Sequence, residues 1–336
     1  MMSIVDTLLK SDEPSIRYKV RVGVLGEDPE SRAIKRLRTE IRNSPRVRAL
    51  LRNRDNRGRI EPVRHVYQKW TGAHWVFPRL ADIGYPPGGK ELFPIRDQVF
   101  DCWLHPEGIE EHVLDKRPPR HKDRGVPIIR GRARRCASQQ SNALYAAVTL
   151  GLCDERCDQL ANLLIRWQWP DGGWNCDRRA EASKSSFWES WLPLRALSAY
   201  ARVSGSTKAR QAAKRTAELF LKRHLFRRQR DGGVMNPQFV QLHYPCYWRY
   251  DILCGLKVMA EARFIADKRC AEALDLLESK RLPDGGWRAE ACFYGTGKSR
   301  KSDLELVSWG GVSKSRMNEW VTADALYVLR AAGRPA

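Results

Sequence analysis

A short motif recurs three times in the second half of the chain. It reads Asp-Gly-Gly followed by Trp or Val, and its aspartates are Asp171, Asp231 and Asp284, which lie 60 and 53 residues apart. An interval of this length accommodates two helices and their connections, so the repeat indicates an array of helical hairpins. Paired glycines permit the positive φ at which a helix can end, and the aspartate can bond the turn backbone. The motif therefore predicts a structural turn.

Apolar periodicity predicts helices in pairs on both sides of these turns. The predicted pairs are 141–151 with 156–169, 187–203 with 209–226, and 247–262 with 268–280, followed by a last helix over 319–332. The first helix of each pair is apolar and the second carries charges, which is typical of inner and outer helices in a closed ring or a solenoid. Alternating β-branched runs do not compete with this pattern. The sequence predicts an all-α fold.

Basic residues are concentrated in particular parts of the chain, whose net charge is +21. The stretches 116–135 and 208–230 each carry nine Lys or Arg residues against one acid. Such a field attracts nucleic acid, an anionic lipid surface or a phosphorylated small molecule. The alternative is a solvated, Arg-rich surface without a specific partner. The stretch 116–135 is also rich in Pro and Gly, which predicts a loop.

Composition also bears on location and domain organisation. Nine scattered cysteines without framework spacing favour a reducing, cytoplasmic environment, and we expect neither a secretion signal nor a membrane span. Residues 1–64 are predicted to form a basic helical N-terminal extension, and residues 65–336 the array of hairpins. The extension either packs on the array or supplies its remaining hairpin.

One segment resembles a known superfamily. Leu163 to Gln168, followed by Pro-Asp-Gly-Gly-Trp at 170–174, resembles the Gln-Trp repeat of squalene–hopene cyclases, whose α-α toroid also occurs in protein prenyltransferase β subunits. The second repeat has Val234 in place of Trp, and the third has Arg281 in place of Gln. The resemblance covers roughly residues 65–335 and is strongest to bacterial single-toroid squalene-cyclase-like proteins. It implies a ring of inner and outer helices around an apolar central cavity.

The catalytic motifs of these families do not carry over with the fold. The chain lacks the Asp-x-Asp-Asp of class II cyclases and the Asp-Asp-x-x-Asp of class I synthases. The segment from His243 to Tyr247 resembles the zinc region of protein prenyltransferases, but the accompanying Asp-x-Cys has no clear match. The resemblance implies a fold, and the chemistry must be argued from individual residues.

Clusters of aromatic and acidic residues recur where the inner helices are predicted to begin. Aromatic faces stabilise cations, and a desolvated carboxylic acid can donate a proton. The candidate acids are Asp251, Asp324 and Glu189. The candidate substrate-binding residues are Trp188, Trp191, Tyr247, Tyr250, Trp320 and Arg249. The alternative interpretation is that the acids are ordinary helix-start residues and the aromatic residues ordinary core.

Cysteines at matching places suggest a zinc site as a further alternative. The set that could converge if the ring closes is Cys136, Cys176, His243, Cys246 and Cys292, with Asp177 beside it. Cys, His and Asp are ligands that zinc accepts. The chain has no local Cys-x-x-Cys pair, and free Cys is often simply a small buried residue. The main prediction is therefore a protein without a cofactor.

Together these features favour a terpene-cyclase-like enzyme. The predicted reaction is an acid-initiated cyclisation or isomerisation of an isoprenoid or similarly apolar substrate, whose phosphate could meet the basic stretches. Two alternatives remain open: a basic toroid that binds nucleic acid, and a noncatalytic toroid that binds a ligand or a partner. Salt-sensitive polyanion binding would favour nucleic acid, and a deep apolar cavity would favour the small molecule.

Overall fold

The computed structural model describes residues 2–114, 125–295 and 305–335. Its α-helices are α1 (Ile4–Leu9), α2 (Pro14–Tyr18), α3 (Arg32–Arg42), α4 (Pro45–Leu50), α5 (Ala73–Asp82), α6 (Phe93–Trp103), α7 (Pro106–Ile109), α8 (Ala137–Thr149), α9 (Glu155–Arg166), α10 (Phe187–Ser204), α11 (Thr207–Leu221), α12 (Ile252–Glu261), α13 (Ala271–Ser279) and α14 (Glu319–Ala331). A π-helical segment, Lys19–Val24, continues α2. No helix within the described ranges has the length and apolarity needed to cross a membrane.

The inner helices form a closed ring. Helices α5, α8, α10, α12 and α14 contact one another in this order, and α14 then contacts the π-helical segment Lys19–Val24. The ring closes where Tyr18 meets Gly84, just after α5. Gly84 has φ +82°, and a Cβ on it would lie 2.4 Å from the Tyr18 ring. The contact therefore needs glycine for both its conformation and its lack of a side chain.

Outer helices cover this ring. Each of α6, α9, α11 and α13 packs on the inner helix that precedes it in the chain, and α3 packs on α2. Helix α3 shows the outer pattern, since Ile34, Leu37 and Ile41 are buried and its basic residues face outward. Inner helix α8 is buried along most of its length. The predicted all-α fold, an α-α toroid, is confirmed.

The three Asp-Gly-Gly segments are turns, as predicted. Their first glycines, Gly172, Gly232 and Gly285, all have positive φ. Trp174 and Trp287 follow the first and third turns and are almost completely buried. Each donates its indole N–H to a carbonyl ten residues earlier, at 3.0 and 2.7 Å. Each tryptophan therefore ties its turn back onto the outer helix that precedes it.

One local feature departs from the all-helical prediction. Strands β1 (Glu111–Val113), β2 (Val126–Ile129) and β3 (Arg132–Ala133) form a small sheet, in which β1 and β2 are parallel and β2 and β3 antiparallel. Part of the basic stretch predicted as a loop thus pairs with the segment after α7. Residues 116–124 of that stretch lie outside the described residues.

Candidate functional site

Among the described residues, charged side chains occupy the centre of the ring, where an apolar central cavity was expected. Charged side chains from the inner elements meet there in what we call the central ion network: Lys19, Arg79, Asp82, Arg195, Lys257, Glu261 and Asp324. All are buried or nearly so. Ionised groups removed from water must be paired, and the network pairs each acid with at least one base.

Arg195 on α10 joins two helices through this network. Its guanidinium bonds Asp82 of α5 at 2.8 Å and Glu261 of α12 at 2.6 Å, and it lies 3.8 Å over the ring of Tyr145. Arg79 pairs with the same Asp82 at 2.9 Å. Planar, multiply hydrogen-bonded Arg–carboxylate pairs are the strongest ion pairs in proteins, so this part of the network links the inner helices rigidly.

Asp324 is held as a carboxylate, which argues against its predicted role as a proton donor. Its two oxygens accept from Lys19 at 2.7 Å and from Lys257 at 2.9 Å. Burial alone would raise its pKa, but the two ammonium groups hold the pKa of Asp324 below its ordinary value. A carboxylate in this setting has no proton to give near neutral pH.

Asp251 caps a helix, as the alternative interpretation of the acids proposed. It is fully buried, precedes α12 and accepts from the backbone N–H of Cys254 at 2.7 Å. Its other oxygen accepts from the backbone N–H of His243 at 2.8 Å and also lies 2.8 Å from His243 Nδ1. Burial disfavours the charged ring, but the Asp251 carboxylate raises the pKa of His243 to about 9. Both Asp251 oxygens thus accept backbone hydrogen bonds, which gives the residue a structural role.

A small cavity adjoins the central ion network and these two residues. It measures about 30 Å³, and its lining includes Asp82, Trp191, His243, Cys246 and Asp324. A space of this size holds about one water molecule. An isoprenoid therefore cannot fit in this cavity, which described residues form at the centre of the ring.

Aromatic rings gather at the end of the ring where the inner helices begin. Tyr247 stacks on Trp70 with ring centroids 3.9 Å apart, and Trp75 meets both rings edge-on. Trp248 and Tyr294 pack against this group, which we call the aromatic layer. Tyr247 has φ +50°, and its buried hydroxyl lacks a hydrogen-bond partner among the described residues. Strained backbone and an unpartnered buried hydroxyl are features that cluster at functional sites.

Some of the predicted substrate-binding residues adjoin this layer. Trp188 meets Trp248 edge-on at 5.6 Å, and Trp191 donates its indole N–H to the Trp248 carbonyl at 3.1 Å. Arg249 lies over Trp248 at 4.8 Å and over Phe293 at 3.8 Å. Aromatic rings and one guanidinium therefore lie together at the end of the ring where the inner helices begin.

The other two predicted aromatic residues do not join them. Tyr250 packs among Phe187, Phe220 and Phe239 and donates its hydroxyl to the Leu225 carbonyl at 2.8 Å, so it is an ordinary core residue. Trp320 belongs to a separate stack with Tyr244 and Trp309, at 5.0 and 4.9 Å.

Sequence patterns did not indicate Glu305, a buried carboxyl group near the aromatic layer. Glu305 is 9% exposed, and the backbone N–H of Leu306 donates to its Oε1 at 2.8 Å. Burial raises the pKa of Glu305 to about 7, although the nearby Arg79 guanidinium opposes this shift. Arg79 in turn lies 5.3 Å from the Tyr247 ring. Glu305 follows no motif and starts no helix, so nothing in the sequence distinguished it.

Glu189, the third candidate acid, lies beside Cys136 and Cys176. It accepts from the backbone N–H of Ser138 at 3.3 Å, and Cys176 Sγ lies 3.6 Å from its Oε1. Burial raises the pKa of Glu189 above its ordinary value. The pKa of the Cys136 thiol is also raised, by its hydrogen bond with Cys176 and by burial.

The predicted five-residue zinc set does not converge. The structure divides it into a group of Cys136, Cys176 and Glu189 and a group of His243, Cys246 and Asp251, each with its candidate ligand atoms within 4.8 Å of one another. Cys292 is exposed and belongs to neither group. Asp177 pairs with its neighbour Arg179 at 2.6 Å. Cysteines that follow equivalent turns thus lie at different positions around the ring.

Comparison with known proteins shows structural similarity alone, without sequence similarity. No protein-family model matches the chain, and no curated protein matches it. An unsaturated glucuronyl hydrolase from Bacillus sp. GL1 is 14% identical, with a TM-score of 0.44 over 94% of this chain and 85% of that one. A possible member of the GH105 family from Salmonella enterica is 9% identical, with a TM-score of 0.47 over 95% and 81%. The type II terpene cyclase MstE from Scytonema is 14% identical, with a TM-score of 0.29 over 85% and 96%.

Proposed function

We propose that the chain is an enzyme that protonates an apolar, isoprenoid-type alkene and so starts its cyclisation or isomerisation. The observation that carries the proposal is Glu305, a buried carboxyl group whose pKa is raised to about 7. Its backbone N–H donates to the Gly295 carbonyl at 2.9 Å, next to Tyr294 of the aromatic layer. A general acid works best when its pKa lies near the operating pH. The proposal keeps the chemistry suggested by the squalene-cyclase resemblance and assigns the acid to Glu305 in place of Asp251 and Asp324.

The surroundings of Glu305 suit a cationic reaction. Protonation of an alkene leaves a carbocation, and the partly exposed rings of Trp188, Trp248 and Tyr294 would stabilise it through their quadrupoles. Charged side chains occupy the centre of the ring, so the substrate would sit at the end where the inner helices begin. Arg249, held between Trp248 and Phe293, would meet an anionic group on the substrate.

The reaction is tested by supplying linear isoprenoid alcohols and diphosphates in deuterated water and analysing the products by mass spectrometry. Initiation by an acid in exchange with solvent predicts one deuterium on carbon in each cyclised or isomerised product. We expect Glu305→Gln to lower kcat about 100-fold. Glu155→Gln, on the exposed surface of α9, is the control and should retain full activity.

The pH profile of the same reaction checks the role of Glu305 independently. Only the protonated acid can initiate, so kcat should be constant below pH 6 and fall as the pH rises through about 7. Products without deuterium, or unchanged turnover by Glu305→Gln, would refute the proposal.

A second candidate function, polyanion binding, is favoured by one observation. Two adjoining grooves of about 760 and 570 Å³ run along α11 and the turn at Asp231. Their basic lining residues are Lys214, Arg215, Lys222, Arg223, Arg227 and Arg228. Glu272 and Asp231 neutralise two of these, Arg227 and Arg228. The remaining cations could follow a phosphate backbone.

Nucleic-acid binding would show itself in its salt dependence. If the grooves bind nucleic acid, Lys222→Ala with Arg223→Ala should weaken the binding of a fluorescent single-stranded oligonucleotide and reduce the slope of log Kd against log salt by about 1.4. Lys35→Ala with Arg36→Ala, which changes exposed residues of α3, is the control. Equal losses in both variants would show diffuse attraction and exclude a groove.

A further inference from the structure

We propose that Cys136, Cys176 and Glu189 bind one zinc ion at the beginning of helices α8 and α10. The site goes beyond the proposed function, because it requires neither Glu305 nor an apolar substrate. It also differs from the five-residue set that the sequence suggested, since it replaces His243, Cys246 and Cys292 by a carboxylate.

The spacing of the three ligand atoms fits one ion. The two thiol sulfurs and a carboxylate oxygen lie within 4.8 Å of one another, and Cys176 Sγ is 3.6 Å from Glu189 Oε1. In a tetrahedral zinc site, bonds of about 2.3 Å to sulfur and 2.0 Å to oxygen place the ligand atoms about 3.5 Å apart. Small side-chain rotations would therefore bring all three to bonding distance.

Fixed elements carry each of the three ligands. Cys136 is the residue immediately before α8, and Glu189 lies in the first turn of α10, which packs on α8. Cys176 comes two residues after the buried Trp174, whose backbone N–H bonds to Ser190 Oγ at 3.0 Å. Three separate parts of the chain thus meet at one point, and the fold holds their spacing without a metal.

Groups around the site would orient its ligands and balance their charge. The backbone N–H of Ser138 donates to Glu189 Oε2 at 3.3 Å, which leaves Oε1 on the side of Cys176. Two thiolates, a carboxylate and a divalent cation carry a net charge of −1. The Arg135 guanidinium interacts electrostatically with both Cys136 and Glu189 and would offset that charge.

Accessibility distinguishes this group from the second one. Cys136, Cys176 and Glu189 are all partly exposed, so an ion can enter and keep a fourth position for water. In the second group Asp251 and His243 are almost completely buried, and both Asp251 oxygens already accept backbone hydrogen bonds. The metal is therefore assigned to the Cys136 group.

Cobalt titration of the full, reduced and metal-free chain tests the site. Co²⁺ should bind at about one ion per chain with a thiolate-to-cobalt charge-transfer band in the near ultraviolet, and zinc should displace it. Cys136→Ser, Cys176→Ser and Glu189→Gln should each weaken binding at least about tenfold. Cys292→Ser and Cys246→Ser are the matched controls and should bind as wild type does.

Each contrary result has a definite meaning. A wild-type chain without the charge-transfer band overturns the proposal, and this measurement does not depend on whether a variant folds. If Cys246→Ser loses the band and Cys136→Ser keeps it, the metal binds to the His243 group, and the proposal is also overturned. A Cys136–Cys176 disulfide that persists in reducing buffer would also overturn the proposal. It would be seen as a mass lower by two hydrogen atoms. Glu305→Gln should leave cobalt binding unchanged, which separates this test from that of the proposed function.

Discussion

Replacing Asp324 by Asn should lower the free energy of unfolding by about 3–5 kcal/mol, measured by urea denaturation at pH 7. Asp324 is the shared partner of Lys19 and Lys257, at 2.7 and 2.9 Å. Burial already lowers the pKa of Lys19 to about 8, and the Asp324 carboxylate opposes that shift. Without the carboxylate, two buried amines would lose the partner that stabilises their charged forms, with only an amide between them. The loss also affects ring closure, because Lys19 belongs to the segment that joins α14 to the start of the chain.

The control for this prediction is an ion pair of the same kind at the surface. Lys35 and Glu30 are 3.0 Å apart, but their side chains are 60% and 65% exposed. Water solvates and screens such a pair, so Glu30→Gln should change the free energy of unfolding by at most about 1 kcal/mol. Equal effects of Glu30→Gln and Asp324→Asn would contradict a structural role for the central ion network.

Acid should reduce the difference between wild type and Asp324→Asn. The folded-state pKa of Asp324 lies below its unfolded value, so its stabilisation is present above the unfolded pKa, about 3.9, and is lost as the pH falls through the folded pKa. Urea denaturation at pH 7 and in steps below pH 4 should therefore show a shrinking difference. A constant difference over this range would mean that the Asn variant fails for another reason.

Replacing Trp287 by Ala should cost about 3–5 kcal/mol in the free energy of unfolding. Its side chain is fully buried after the third Asp-Gly-Gly turn, and its indole N–H donates to the Leu277 carbonyl at 2.7 Å. Truncation would leave a large cavity and remove one of two donors to the Leu277 carbonyl, which also accepts from the backbone N–H of Lys280 at 3.2 Å. Trp174→Ala should behave alike, because Trp174 makes the equivalent bond to Leu164.

The degenerate second repeat supplies the matched control. Val234 occupies the position of these tryptophans and is only partly buried. Val234→Ala removes two methyl groups and no hydrogen bond, so it should cost about 1 kcal/mol. If Val234→Ala proved as damaging as Trp287→Ala, the turns rather than the tryptophans would hold the hairpins together. Thermal unfolding of the three variants gives the comparison directly.

Local sequence patterns predicted the hairpins and turns because both depend on near neighbours. A helix needs an apolar stripe with a period of 3.6 residues, and an Asp-Gly-Gly turn needs glycine at positive φ. The strand Val126–Ile129 was missed for the opposite reason. Its backbone is paired by Glu111–Val113, whose proximity depends on tertiary structure, and a short apolar run does not reveal its partner.

The sequence predicted the location only of those candidate-site residues that stand at the start of an inner helix. Trp188, Trp191, Tyr247 and Arg249 gather at one end of the ring because inner helices begin at that end. Glu305 belongs to a segment without periodicity, and its pKa depends on burial in the folded chain and on the Arg79 guanidinium of α5. The acid proposed for the reaction therefore could not be selected from the sequence.

The class of the fold, the pairing of helices and the place of the turns could be predicted from local patterns, because these follow from periodicity and backbone conformation. Tertiary structure alone decided the partners around the ring. It placed Asp324 between two lysines from other elements, and it brought Cys136 and Cys176 to Glu189 while leaving Cys292 outside. The physical reason is that a charge or a thiol acquires its function from groups within a few ångströms, and closure of the ring decides which groups those are.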